Sequence, residues 1–205
     1  MFKIYVARHG QDTDNAAGIL NGRRDAPLSE TGVEQARDLA RSLQELKLPI
    51  KKIYSSPLQR AYRTAEIVAD ALHLPKPERI DLLIEREFGI MTGLSIKDVE
   101  KLCAPDIIKT DPVVYFLSPE GAETYPQLLA RAEKLLRSLT AGDLNQDILL
   151  VCHSDIGKML YTAFYRLDWK EVLREFHYGN SEVLVLAPDS KPNERRLHIV
   201  EQYNH

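Results

Sequence analysis

Cysteine is scarce in this chain. Cys103 and Cys152 stand far apart among 205 residues, which is no disulfide framework. A reducing cytoplasm is the expected home. Long apolar runs are missing as well. Nothing approaches the roughly 18 consecutive apolar residues of a membrane span. The opening "MFKIYVARHG" holds too short an apolar run for a secretion signal before charge sets in. Nor is there an excess of positive charge. Lys and Arg number 27 against 30 Asp and Glu, a net charge of −3, which argues against broad binding to nucleic acid or to an anionic membrane. A local cluster of arginines could still hold one small anion. Internal repeats, low-complexity tracts and a P-loop are absent too.

What remains is an ordinary globular balance, 44% hydrophobic and 28% charged, over a length that fits one domain. "FKIYVA" (Phe2–Ala7) reads as a buried strand. A helix follows in "DAPLSETGVEQARDLARSLQELKL", with Thr31 and Glu34 as a capping box and Ser29 as a competing cap. Its apolar face holds Val33, Ala36, Leu39, Ala40, Leu43 and Leu46. "KKIYSS" (Lys51–Ser56) is the next strand, and Ser56 followed by Pro57 predicts a capped helix start. From Arg79 to about Tyr125 the pattern turns irregular and proline-broken, as in a lid-like insertion of short helices and loops over one end of the sheet. A helix in "ETYPQLLARAEKLLRSL", a buried strand in "DILLVCH" and a helix in "SDIGKMLYTAFYRL" come next. "SEVLVLAP" and "RRLHIVEQY" could form a final hairpin. Alternating strands and helices predict an α/β sandwich with a mostly parallel sheet, one domain over residues 1–205 with the insertion around 79–125.

Three of the strands run into polar junctions. The first ends in Arg8-His9-Gly10. The second ends in Ser55-Ser56 and leads to Arg60. The third ends in His153-Ser154. In parallel sheets ligands bind beyond the carboxyl ends of the strands. If the junctions share one edge, two histidines and two arginines converge, joined by backbone N–H groups at the helix starts. That is a site for a phosphoryl group. Guanidinium forks match phosphate oxygens, and imidazole can attack phosphorus near neutral pH.

"RHGQDTDN", "SSPLQRAYRTAE", "LIEREFGIMTG", "PEGAET" and "VCHSD", in that order from Val6 to about Leu186, resemble the histidine phosphatase superfamily. The branch in question contains cofactor-dependent phosphoglycerate mutases and broad phosphomonoesterases. The resemblance implies a three-layer, phosphoglycerate mutase-like α/β/α sandwich. It implies His9 as the nucleophile that becomes phosphohistidine, Arg8 and Arg60 as holders of the phosphoryl oxygens, and His153 as the second histidine stabilising charge. Asn15 and Ser154 would also reach the phosphate, and Glu85 would be the general acid and then the base for water. Gln11, Arg23 and Asn180 are candidates for substrate binding. No cofactor and no metal are implied. The partner is a small phosphorylated metabolite, with no nucleic acid and no membrane; a homodimer is left open.

The pattern is departed from at Asp12, where Ser or Thr is usual, at Ser154-Asp155 after the second histidine, and at Met91-Thr92. These changes are expected to affect substrate choice more than chemistry. Glu87 is the competing acid, His177 a weaker site candidate, and His73, His198 and His205 are read as surface or packing residues. Cys152 is read as a small buried hydrophobe. A cysteine phosphatase needs His before Cys and Arg six residues after it; here the order is Cys152-His153 and Lys158 stands at the sixth place. An aspartate phosphatase could be read from Asp12 and Asp14, but Asn15-Ala16 follow where Thr or Val is needed. Between Gly93 and Pro119 there is no Arg to grip a three-carbon acid, so hydrolysis is favoured over a mutase. An inactive protein that only binds phosphorylated ligands is the further alternative.

Overall fold

The chain was analysed as a computed structural model describing residues 2–111, 113–141, 146–192 and 196–197. Its strands are β1 (Ile4–Arg8), β2 (Ile50–Ser55), β3 (Glu78–Arg79), β4 (Ile107–Lys109), β5 (Val114–Phe116), β6 (Asp147–Cys152), β7 (Val183–Leu186) and β8 (Arg196–Leu197). The helices are α1 (Thr13–Ala17), α2 (Glu30–Glu45), α3 (Gln59–Ala71), α4 (Val99–Cys103), α5 (Tyr125–Thr140), α6 (Ser154–Tyr165) and α7 (Trp169–Glu175). Six strands make one sheet in the order β3-β2-β6-β1-β7-β8. The strands β1, β2, β3 and β6 are mutually parallel; β7 runs antiparallel to β1, and β8 antiparallel to β7.

Strand alternation explains the three layers. Ile4 and Val6 of β1, with Ile148, Leu150 and Cys152 of β6, share one core with Leu128 and Leu135 of α5 and Ile156 and Leu160 of α6. The intervening Tyr5, Ala7, Leu149 and Val151 share the opposite core with Leu39 and Leu43 of α2 and Ala65 and Val68 of α3. Because β6 is covered on both faces, it is apolar without interruption from Ile148 to Cys152. Each large side chain buried there contributes roughly 1.5–3 kcal/mol.

Local chemistry changed several boundaries. Ser29, not Thr31, caps α2, its hydroxyl accepting from the Gly32 N–H at 3.1 Å. Leu46 lies past the helix and is half exposed. Ser56 does not cap α3, which begins only at Gln59 with Leu58 at its N-cap. The Ser56 hydroxyl instead accepts from the Leu58 N–H at 3.3 Å, in a turn ahead of the helix, and sits 2.8 Å from His153 Nε2. The irregular segment contains α4, three single-turn 3-10 helices and a separate antiparallel hairpin, β4–β5. Phe88, Met91, Val99 and Phe116 pack there with Leu20 into a small cluster of their own. The final hairpin is present as β7–β8; the rest of "RRLHIVEQY", with His198 and His205, lies outside the described residues.

Candidate active site

Register brings the two histidines together. Arg8 of β1 is the partner of Cys152 in β6, so the next residues, His9 and His153, stand side by side. The His9 N–H donates to the Cys152 carbonyl at 3.0 Å. Both follow the parity of the positions that face α2 and α3. Their rings meet edge-on with centroids 5.0 Å apart, and Arg60, the second residue of α3, lies against them. Gly10 is needed for close approach. A Cβ on it would lie 2.2 Å from the Gly32 carbonyl oxygen, where the start of α2 crosses the loop.

The 2.6 Å contact between His9 Nδ1 and the Gly10 carbonyl fixes the tautomer. A carbonyl only accepts, so Nδ1 holds the proton and Nε2 keeps its lone pair. Burial first, then the charges of Arg60 and Arg8, hold the His9 pKa well below the ordinary histidine value. The same burial and Arg60 depress His153. Both shifts favour the neutral imidazole. Arg60 Nε donates to His9 Nε2 at 3.2 Å, Arg8 Nη1 donates to the Tyr178 carbonyl at 2.7 Å, and buried His153 Nδ1 has no hydrogen-bond partner among the described residues.

Asp12 and Asn15 form the capping box of the short helix α1. That accounts for much of the polar run after His9. Glu85 is 4% exposed, and its carboxyl group accepts from the N–H groups of Arg86 at 2.8 Å and of Asp155 and Ile156 at 3.2 Å. The start of α6 is thus closed by Glu85, and those N–H groups do not join the histidines as the sequence had suggested. Burial, then the neighbouring charge of Asp155, push Glu85 above the ordinary carboxyl range against the pull of these bonds. Glu87 points away, 3.7 Å from Arg23.

Arg8, His9, Asn15, Glu85 and Ser154 line one cleft of about 490 Å³, its open mouth included. Its far wall consists of Leu20, Phe88, Val114, Tyr115, Phe116, Tyr125 and an ion pair. In that pair Arg86 Nε lies 2.7 Å from Asp155 Oδ2, and its Nη atoms donate to the carbonyls of Glu123 and Phe116. Behind Tyr115, fully buried Lys158 donates to the tyrosine hydroxyl. Five candidates do not line the cleft: Arg60 and His153, both fully buried against His9, and three more. The Gln11 side chain accepts from Ser29 Oγ at 2.9 Å. Arg23, 37% exposed, donates to the Glu85 carbonyl at 3.1 Å and to Glu123 at 3.2 Å. Asn180 Nδ2 braces the backbone, donating to the His9 carbonyl at 3.0 Å. His177 lines a different small pocket with Leu173 and Phe176.

Arg131 was missed from sequence. From α5 it donates to the carbonyls of Leu82 at 2.8 Å, Ile84 at 2.6 Å and Glu85 at 3.3 Å, and it grips Glu123 with Nε and Nη2. Burial opposes charge on Glu123, but these bonds and Arg23 hold its carboxyl below the usual range. A signal did exist. Arg131 falls at helical spacing from Leu128 and Leu135, a cation inside an apolar stripe. Burial pushes the Cys152 thiol far up, so it is no thiolate nucleophile.

The sheet thus presents paired histidines at its strand ends beside two buried arginines. The chain belongs to the histidine phosphatase superfamily, branch 1, whose family model matches residues 4–199. It is 29% identical to phosphoserine phosphatase 1 of Hydrogenobacter thermophilus over 94% of this chain and 90% of that one. It is equally 29% identical to the 2,3-bisphosphoglycerate-dependent phosphoglycerate mutase of Bradyrhizobium diazoefficiens, over 91% of this chain and 93% of that one. Among solved structures, mycobacterial glucosyl-3-phosphoglycerate phosphatase in complex with VO3 matches with a TM-score of 0.78 at 25% identity, over 91% of this chain and 93% of that one.

Proposed function

We propose that the chain is a phosphomonoester hydrolase that acts on a small phosphorylated metabolite through a phosphohistidine at His9. The observation that carries this reading is the His9 tautomer, with Nδ1 tied to Gly10 and Nε2 held beside Arg60 and His153. In the first step the Nε2 lone pair forms a bond to phosphorus as the bond to the alcohol oxygen breaks, and Glu85 gives its proton to that oxygen. In the second, Glu85 takes a proton from the attacking water, the P–N bond breaks with its electron pair returning to Nε2, and orthophosphate leaves. The transition state spreads charge over three oxygens, and Arg8, Arg60, Asn15 and the unpartnered His153 Nδ1 are the groups that meet it. The first step needs protonated Glu85, and burial and the Asp155 charge shift its pKa in that direction.

Relatives named for phosphoserine and for glucosyl-3-phosphoglycerate support a small metabolite as substrate. A relative named as a mutase keeps that activity as the second reading. Hydrolysis is favoured by the far wall. A mutase must grip the carboxylate of a three-carbon acid, whereas the Arg86 nitrogens already donate to Asp155 and to two carbonyls. Among the described residues no helix is long and apolar enough to cross a membrane. The test offers the purified protein a panel of phosphorylated metabolites together with 2- and 3-phosphoglycerate. Orthophosphate release is expected. A phosphoryl shift between the two glycerate positions that outruns release would establish the mutase, and tight binding without turnover would establish a binding protein.

A further inference from the structure

The guanidinium of Arg60 is held on every nitrogen. Nη1 donates to the Arg24 carbonyl at 2.6 Å and Nη2 to the Gly22 carbonyl at 2.8 Å. Its single Nε–H has two acceptors at nearly equal distance, His9 Nε2 at 3.2 Å and Asp12 Oδ2 at 3.3 Å. Asp12 is fully buried and is itself pinned. Oδ1 accepts from the Asn15 N–H at 2.8 Å, and Oδ2 accepts from Asn21 Nδ2 at 2.5 Å. The carboxylate therefore keeps its place beside Arg60 whatever occupies the cleft. A capping hydroxyl would serve the start of α1 equally well, so the helix does not explain a charge at this position.

We propose that Asp12 is a fixed counter-charge on Arg60 that weakens the site's hold on phosphate and so hastens release of the orthophosphate product. This rests on the hydrolase reading above. Two arginines in a buried pocket bind a phosphate dianion strongly, because charge interactions there are poorly screened. A hydrolase loses turnover when its product stays bound. One carboxylate in contact with one of the two arginines cancels part of that attraction without touching the phosphate. It has a second consequence. Once His9 Nε2 bears the phosphoryl group, its lone pair no longer accepts from Arg60, and Asp12 remains as acceptor for that N–H.

The sign of the effect separates this role from a structural one, since damage to the loop would weaken anion binding. Asp12→Ser keeps an oxygen to cap α1, and Asp12→Asn keeps the shape. Orthophosphate affinity is measured by calorimetry and by competition with substrate, in the wild type, both Asp12 variants and Arg8→Ala, with thermal melts for each. Both Asp12 variants should bind orthophosphate at least about tenfold more tightly. Arg8→Ala should bind it more weakly. Equal or weaker binding in both Asp12 variants, with wild-type melts and a weakened Arg8→Ala, overturns the role of Asp12 alone. Wild-type protein that does not bind orthophosphate in competition with substrate, or an Arg8→Ala variant that binds it unchanged, overturns the anion site and the inference with it.

Discussion

At one end of the cleft stand Arg8 and His9, with His153 and Arg60 buried against His9, all from the ends of paired strands and the first turn of a helix. At the other, the wall is assembled from the 79–125 segment, the hairpin β4–β5 and the start of α6, tied together by Arg86. The first end is fixed by strand register, which short sequence motifs encode. The second depends on side chains that donate to carbonyls far away in the chain. In the proposed reading, chemistry is built on the end fixed by register, and the leaving group is read by the end whose structure is set by long-range contacts. Glu85 sits at the join, its side chain capping α6 and its backbone held from α5 by Arg131.

The sharpest way to break this division is at the join. Glu85→Gln should lose roughly 10²–10⁴-fold in kcat/KM on alkyl phosphates and far less on p-nitrophenyl phosphate, whose leaving group hardly needs a proton. Glu87→Gln, out beside Arg23, should cost little on either ester. Equal losses on both esters for Glu85→Gln would reduce that residue to a positioning role, and a larger effect at Glu87 would transfer the acid to it.

A smaller effect is expected one step back. Arg131→Ala should lose about tenfold on alkyl phosphates, again with p-nitrophenyl phosphate spared, because it acts through Glu85. It should also lower stability by about 2–5 kcal/mol in urea titrations, since the Leu82 and Ile84 carbonyls lose Arg131 as donor and Glu123 and the Glu85 carbonyl are left to Arg23. Arg131→Lys should rescue only part of this, because an ammonium cannot reproduce the fork. Losses equal on the two esters would make Arg131 a structural residue only.

The smallest expected change is a shift in pH dependence. Asp155 raises the Glu85 pKa. Removing its charge makes Glu85 ionise more readily, and Arg86, deprived of its partner, acts in the same direction. The first step needs protonated Glu85, so activity falls as pH rises through its pKa. In Asp155→Asn the basic limb of kcat on an alkyl phosphate should therefore move to lower pH. A limb that stays in place or moves upward would detach Asp155 from the acid.

The same comparison explains what could be read in advance. Alternating apolar residues in β1 and β6 revealed the layers, and the junctions after them revealed His9 and His153, because both signals are local. Ser56 misled because its hydroxyl holds a turn before the helix, accepting from the Leu58 N–H, and meets His153. Arg86 and Arg131 were not read because their partners, carbonyls and carboxylates far away in the chain, leave no local mark, although Arg131 stood as a cation inside an apolar stripe. Asp12 was visible as an oddity, but its contact with Arg60 requires a turn of chain to be folded back.

The central claim, covalent transfer through His9, is tested most directly by trapping the intermediate. Enzyme turning over a phosphate ester labelled with radioactive phosphorus is quenched in base, and the labelled peptide is mapped. The account predicts a label on His9 that is stable in base and lost in acid, absent from His9→Ala, whose turnover falls by several orders of magnitude. Near-wild-type turnover in His9→Ala, or a base-labile label on a carboxylate, would contradict it.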